Sequence, residues 1–141
     1  MDKIFVDSGV WIAAFHERDD HHKQGMEFIK WFDKQTNYSI IITNLVLGEV
    51  LNHLQRKTNP QLMRKIAYNL VNHDKIELYY DEGDYQEQTF QILNKIESLS
   101  YVDSSIVVFY KLFNCKYLIS YDNNFNRIER LIKIEDPPYF D

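Results

Sequence analysis

Short apolar segments alternate with longer amphipathic segments, and this alternation most limits how the chain can fold. Five segments are rich in β-branched and aromatic residues and nearly continuous in apolarity, as strands buried on both faces should be. They are KIFV (3–6), YSIIIT (38–43), IELYY (76–80), YLIS (117–120) and LIKI (131–134). The pattern predicts a sheet of four to five strands.

The segments between these strands have the periodicity and the end signals of helices. Asn59 followed by Pro60 is an N-cap with a proline at the first helical position, and it opens a helix that ends near Asn72. Strands that alternate with helices need crossover connections, which give a mostly parallel sheet covered on both faces. The predicted fold class is therefore α/β, with three layers α/β/α. The other predicted helices span residues 21–34, 44–57, 85–98 and 103–114.

The composition is that of an ordinary soluble protein. The chain has 141 residues, 45% hydrophobic and 26% charged, which predicts a single domain over residues 1–141. Its apolar runs are too short for a membrane span, and Asp7 interrupts the first one too early for a secretory signal. Cys115 is the one cysteine and cannot form an internal disulfide, so we expect a cytoplasmic location.

The net charge of −5 argues against nucleic-acid binding by bulk electrostatics. It does not exclude an enzyme that handles phosphates through a metal ion, because such a site is itself built from acids. Four acidic residues have suitable positions. Asp7 follows the first predicted strand, Asp122 follows the fourth, Glu49 lies on the helix after the second, and Asp103 begins the helix that leads into the fourth.

Ligands of open parallel sheets bind beyond the carboxyl ends of the strands, so these four acids can face one crevice. Each also has a purely structural interpretation. Asp7 and Asp122 suit turns or helix caps, and Glu49 suits a solvated helix surface. Asp103 stands three residues after Ser100, which is the spacing of a capping box.

Convergence of the four carboxylates would imply a metal ion. Carboxylates in one crevice cannot all stay ionised unaided, because like charges raise one another's pKa. A hard divalent cation with oxygen ligands, such as Mg²⁺, relieves that repulsion.

Three segments, in this order, resemble the acidic motifs of the PIN-domain family. They are FVDSGVWIAAF near the N-terminus, TNLVLGEVL in the middle, and LSYVDSSIVVFYKLFNCKYLISYDNNF. The last is the most specific, because it combines a leading Asp, an apolar helix, a short strand, a hydroxyl residue, Asp and Phe. Within the family, the chain is similar to the small single-domain ribonucleases (VapC-like) that act as toxins of toxin–antitoxin pairs.

The resemblance implies an acidic quartet with two supporting serines. Ser8 and Ser120 match the hydroxyl residues that lie beside the metal or hold its waters. Asp7 and Asp103 are expected to be the main metal ligands. The full set to which the resemblance assigns metal binding and catalysis is Asp7, Glu49, Asp103 and Asp122.

The activity that the resemblance implies is metal-dependent endoribonuclease cleavage of RNA, with Mg²⁺ or Mn²⁺ as cofactor. One or two ions would activate a water and stabilise the leaving 3′ oxygen. The implied partners, besides RNA, are a cognate antitoxin protein and a second copy of the chain in a homodimer. The family often has a further acid before the Phe, where this chain has the uncharged Asn123 and Asn124.

Two other functions fit an acidic α/β crevice. One is a non-catalytic RNA- or protein-binding module on the same fold, against which the complete set of acids argues. The other is a metal-dependent phosphatase acting on a small phosphate ester, which differs from a nuclease in its substrate.

Other polar residues are interpreted as structural or surface residues. His16, His21 and His22 match no zinc spacing, and ERDDHH is predicted to be an exposed loop that enters a helix. His53 and His73 are predicted to be helix-surface or packing residues. Several basic residues are predicted on solvated helix faces, from which some can line an RNA groove. They are Arg56, Lys57, Arg64, Lys65, Arg127, Arg130 and Lys133.

Overall fold

The centre of the fold is a five-stranded sheet in which all paired neighbours are parallel. The computed structural model describes residues 1–138, and in that range the strand order is β3-β2-β1-β4-β5. The strands are β1 (Asp2–Val6), β2 (Tyr38–Thr43), β3 (Ile76–Tyr79), β4 (Tyr117–Ile119) and β5 (Lys133–Ile134). The predicted parallel sheet is confirmed, and its fifth strand is shorter than the segment 131–134.

Residues 1–138 also form six α-helices and a short 3₁₀ helix. The helices are α1 (Ser8–Phe15), α2 (His22–Asp33), α3 (Asn44–Lys57), α4 (Pro60–Val71), α5 (Gln86–Lys95) and α6 (Tyr101–Leu112), and the 3₁₀ helix is Asn123–Phe125. The predicted start of α4 is confirmed, because Asn59 Oδ1 accepts a hydrogen bond from the Leu62 N–H at 2.8 Å. Helix α6 begins two residues earlier than predicted, because its N-cap is Ser100.

The chain order places the helices on two faces of the sheet. The chain moves from β1 through β2 to β3 in one direction and then returns past β1 to β4. Right-handed crossovers therefore put α1–α4 on one face and α5 and α6 on the other. The packing agrees, since α1 contacts α2 and α3, α3 contacts α4, and α5 packs against α6. The predicted three-layer α/β/α architecture is confirmed.

The position of α1 is fixed by close packing on both sides. Ile4, Phe5 and Val6 of the preceding strand are fully buried. On the other side, Gly25 lets α2 approach the end of α1, because a Cβ at that position would stand 2.6 Å from the Ala14 backbone nitrogen. The start of α1, which follows Asp7 directly, is thus held against the central strand.

Two further predictions concern the lone cysteine and the membrane. Cys115 is buried, and this burial raises the pKa of its thiol to about 12, so it behaves as a core residue. Among residues 1–138, no helix is both long and apolar enough to cross a bilayer.

Candidate active site

The candidate site lies where the strand order reverses, between β1 and β4. Val6 of β1 is paired with Ile119 of β4, so the residues that follow these strands emerge side by side. The Asp7 N–H donates to the Ile119 carbonyl at 2.9 Å and extends the ladder by one step. Such a switch point opens a crevice beyond the carboxyl ends of the strands, where α/β proteins bind their ligands.

Asp7 is the buried carboxylate of this crevice, with 7% of its surface exposed. It is the N-cap of α1, and its Oδ1 accepts from the Ser8 N–H at 2.8 Å. Its Oδ2 accepts from the Ser120 hydroxyl, also at 2.8 Å. The pKa of Asp7 is raised to about 6, mainly by burial and also by the charges of Asp103 and Asp122, against the lowering effect of its hydrogen bonds.

Ser120 joins Asp7 to Asp122. Its hydroxyl donates to Asp7 and accepts from the Asp122 N–H at 3.0 Å. Asp122 is the N-cap of the 3₁₀ helix, where its Oδ1 accepts from the Asn124 N–H at 2.9 Å. The sequence predicted Ser120 at the site, but its bridge between two acids follows from the pairing of β1 with β4.

Asp103 lies in the first turn of α6, in the capping box that the spacing predicted. The Asp103 N–H donates to Ser100 Oγ at 3.1 Å, and the Ser100 N–H donates to Asp103 Oδ2 at 3.3 Å. Within residues 1–138 the other carboxylate oxygen, Oδ1, accepts no hydrogen bond. Capping therefore uses only one of the two oxygens, and the other can bind a ligand.

Glu49 reaches the same region from α3. The residue is exposed, yet partial desolvation raises the pKa of its carboxyl, and the charge of Asp103 raises it further. A hydrogen bond with the Ser8 side chain lowers that pKa in part. Ser8 therefore connects Glu49 to the first turn of α1, which Asp7 caps.

The four acids are close enough to influence one another's charge. Asp103 and Asp122 act on Asp7, and Asp103 also acts on Glu49. The ion pairs formed within residues 1–138 involve none of the four. In the same range, no group of three or more His, Cys, Asp or Glu side chains is arranged to hold a metal ion. The structure thus shows a cluster of like charges rather than a closed cage.

The donor set nevertheless fits a hard divalent cation. Mg²⁺ is usually held by one or two carboxylates and several waters, so it does not need a cage of protein ligands. Asp7 is a buried carboxylate with acidic neighbours, and a nearby cation would favour its ionised form. Asp103 offers an oxygen that its capping role leaves unused.

The sequence missed one polar pair near this site. His16, which follows α1, and His53 of α3 place Nδ1 and Nε2 3.3 Å apart. The loop over residues 17–21 has the predicted irregular structure, and α2 begins at His22. No local pattern could have shown the His16–His53 contact, because the two residues come together only through the packing of α1 on α3.

The fold and this site define a three-layer α/β domain with carboxylates gathered at the switch point of its sheet. A comparison with protein families matches residues 4–131 to the PIN domain. The chain belongs to the PIN-domain family, and the predicted membership is confirmed. No protein among those with curated descriptions matches the chain.

Several solved structures share the fold. The Mycobacterium tuberculosis toxin VapC20, described as cleaving the sarcin–ricin loop, is 21% identical, with a TM-score of 0.74 over 87% of this chain and 92% of that one. VapBC2 from Rickettsia felis, bound to a DNA fragment from its promoter, is 18% identical, with a TM-score of 0.68 over 94% and 97%. A toxin–antitoxin complex from Klebsiella pneumoniae is 15% identical, with a TM-score of 0.65 over 92% and 95%.

Proposed function

We propose that this chain is a metal-dependent endoribonuclease that hydrolyses RNA phosphodiester bonds and serves as the toxin of a toxin–antitoxin pair. The observation that carries the proposal is the electrostatic cluster formed by Asp7, Asp103 and Asp122 at the switch point of a PIN domain. An acidic cluster of this kind would repel the anionic RNA backbone by itself. A divalent cation bound between the carboxylates and the RNA phosphate would offset both the repulsion within the cluster and the repulsion between the cluster and the RNA.

The proposed roles follow from burial and hydrogen bonding. Asp7 and Asp103 would hold the cation, because Asp7 is buried among like charges and Asp103 keeps one oxygen unbonded. Asp122 and Glu49 would complete the ligand shell, directly or by orienting the attacking water. Ser120 holds the Asp7 carboxylate in place and keeps the loop of Asp122 beside it.

The cation, Mg²⁺ or Mn²⁺, would supply Lewis-acid polarisation of the phosphate and neutralise the charge that develops on it. In the reaction, the oxygen of a water forms a bond to phosphorus, and the bond from phosphorus to the 3′ oxygen breaks. The products are a 5′-phosphate and a 3′-hydroxyl, with the proton of the water passed through the crevice to the leaving oxygen or to solvent. Glu49 is the candidate to orient that water, because its pKa is raised and it is exposed.

The structural relatives support the toxin role. Those described above are a toxin that cleaves the sarcin–ricin loop, VapBC2 bound to promoter DNA, and a toxin–antitoxin complex. By this analogy the chain would bind a cognate antitoxin. The homodimer is the further partner that the resemblance to the family implies. For a homodimer, we expect sedimentation equilibrium at micromolar concentration to give a mass twice that of the chain.

The test is cleavage of structured and single-stranded RNAs by the purified chain, with Mg²⁺, Mn²⁺ or EDTA. We expect cleavage that EDTA abolishes and that Asp7→Asn lacks. The matched control is Asp74→Asn, which makes the same change at an exposed residue before β3, at the opposite end of the strands. Equal activity of Asp7→Asn and Asp74→Asn would contradict the site.

The same assay separates the alternative functions. Hydrolysis of a small phosphate ester at a rate that added RNA does not reduce would indicate a phosphatase. RNA binding without metal binding or cleavage would indicate a non-catalytic module. If the chain is a toxin, its expression without an antitoxin should stop cell growth. The Asp7→Asn variant should not stop growth, whereas Asp74→Asn should stop it as the wild type does.

A further inference from the structure

A polar groove opens beside the acidic crevice, on the side of β4. Its volume is about 590 Å³, and its lining comes from two short segments of the chain. The polar residues of the lining are Lys95, Glu97, Ser98, Asn123, Asn124 and Arg127.

Both segments of the groove adjoin proposed metal ligands. Residues 95–98 run from the end of α5 towards Ser100, the cap of the helix that carries Asp103. Asn123 and Asn124 follow Asp122 directly, and the Asn124 N–H donates to the Asp122 carboxylate. The groove lining is therefore joined, within a few residues of the chain, to two of the proposed metal ligands.

The charges in the groove differ from those in the crevice. Lys95 and Arg127 are both exposed, and neither takes part in an ion pair within residues 1–138. Among the described residues that line the groove, Glu97 is the one acid. The groove is thus weakly cationic next to an acidic centre, as expected for a surface that binds an anionic strand whose cleavage point lies at a metal ion.

Asn123 lines the groove and uses its amide oxygen in hydrogen bonds to other side chains of the chain. Its Oδ1 accepts from Lys133 Nζ at 3.3 Å and from Asn126 Nδ2 at 3.4 Å. Lys133, whose side chain is 7% exposed, also pairs with Glu135. Because the amide oxygen is already bonded on the protein side, the Asn123 NH₂ group is the end that can serve a ligand.

We propose that this groove binds a backbone phosphate of the RNA strand next to the cleaved bond, through Lys95, Arg127 and the Asn123 amide. The inference rests on the proposed ribonuclease function and names its substrate path. Cations and amide donors are the groups that proteins use to bind phosphate oxygens, and such contacts position a strand without reading its bases. Among residues 1–138, no aromatic side chain lines the groove, so this part of the chain offers no stacking platform that would favour a base.

The test is the binding of a labelled single-stranded RNA, followed by fluorescence anisotropy in Mg²⁺. The Asp7→Asn background keeps the RNA uncut. In that background we compare Lys95→Gln/Arg127→Gln with Lys30→Gln/Lys34→Gln, which removes two exposed basic residues at the carboxyl end of α2. The groove variant should bind about tenfold more weakly, and the slope of log affinity against log salt should decrease in magnitude by about 0.7, because one phosphate contact to a single strand is lost. The control variant should change neither quantity.

In the active chain, the groove variant should raise KM and leave kcat unchanged. Contacts away from the reacting phosphate bind substrate and transition state alike. Lys95→Arg/Arg127→Lys should restore both affinity and KM. A fall in kcat with unchanged KM would overturn the inference.

The outcomes distinguish this inference from the proposed function. If the wild-type chain cleaves RNA and the groove and control variants bind RNA equally, the groove inference is wrong and the ribonuclease stands. If the wild-type chain neither binds nor cleaves RNA, the proposed function fails, and this inference fails with it.

Discussion

Helices α1 and α3 bring polar side chains together at both ends of α1, and the two clusters are opposite in kind. At the amino end, Ser8 connects Glu49 to the carboxylate crevice. At the carboxyl end, His16 and His53 place their ring nitrogens 3.3 Å apart. The same pair of helices thus supports an acidic cluster and a histidine pair.

The two clusters differ in how their polar groups are satisfied. Two imidazoles can satisfy each other, since a neutral ring donates through one nitrogen and accepts through the other. Burial lowers the pKa of His53, and the charges of His16 and Arg56 lower it further, so His53 favours its neutral form. Ionised carboxylates can only accept, and burial, with smaller effects from the charges of Asp103 and Asp122, raises the pKa of Asp7 to about 6. Only the acidic end therefore gathers like charges that a cation could compensate, as the proposed function requires.

The largest expected effect of this difference is on activity. Asp103→Asn should lower cleavage by at least about 100-fold, because it removes a metal-binding charge while keeping an oxygen for the capping box. His53→Gln should leave the rate within about twofold, since it changes the other end of α1. Single-turnover cleavage assays at saturating Mg²⁺ compare the two variants. A comparable loss of cleavage rate in His53→Gln would show that the two ends of α1 do not differ in their importance for activity.

The next effect is on stability in the presence of metal. A cation that binds only the folded chain adds about 2.7 kcal/mol to the free energy of unfolding at a concentration 100 times its Kd. Thermal unfolding in Mn²⁺ should therefore shift upwards for the wild type and much less for Asp7→Asn. At pH 5 the wild-type shift should shrink, because protons compete for a carboxylate whose pKa is about 6. Equal increases in unfolding temperature for the wild type and Asp7→Asn would show that Asp7 does not bind the metal.

The sequence was informative for residues that both cap a helix and lie at the binding edge of the sheet. Asp7, Asp103 and Asp122 each take part in a helix cap, as their structural interpretation predicted. They also meet at the end of the sheet, as the α/β alternation predicted. The two interpretations agree because a helix that starts at the carboxyl end of a parallel strand places its cap at the binding edge of the sheet.

The sequence was uninformative where position depends on packing between distant segments. The Ser120–Asp7 hydrogen bond depends on the pairing of β4 with β1, and the partners are 113 residues apart. His16 and His53 are 37 residues apart and share no motif. Lys95 did not stand out among the basic residues, because only the folded chain places it in one groove with Arg127.

A smaller effect concerns the pH dependence of stability without metal. The folded pKa of Asp7, about 6, lies above its ordinary value of 3.8, so folding favours the protonated form. The stability from this group is fully present below pH 3.8 and is lost as the pH rises through about 6. Between pH 7 and pH 5 in EDTA, Asp7 should add about 1 kcal/mol to the free energy of unfolding. Urea unfolding should show this gain in the wild type and not in Asp7→Asn; an identical gain in both would assign it to another group.

The smallest expected effect comes from the histidine end and has the opposite sign. The folded pKa of His53 lies below its ordinary value of 6.5, so the unfolded chain binds the proton more readily. Stability from this ring is therefore present above pH 6.5 and is lost as the pH falls towards the folded pKa. His53→Gln removes that loss, so the variant should gain more stability than the wild type between pH 7.5 and pH 5 in EDTA. His73→Gln, which removes a ring outside the pair, is the control. If His53→Gln and His73→Gln had the same pH dependence, the His16–His53 contact would have no part in acid stability, and only the carboxylate end of α1 would respond to protons.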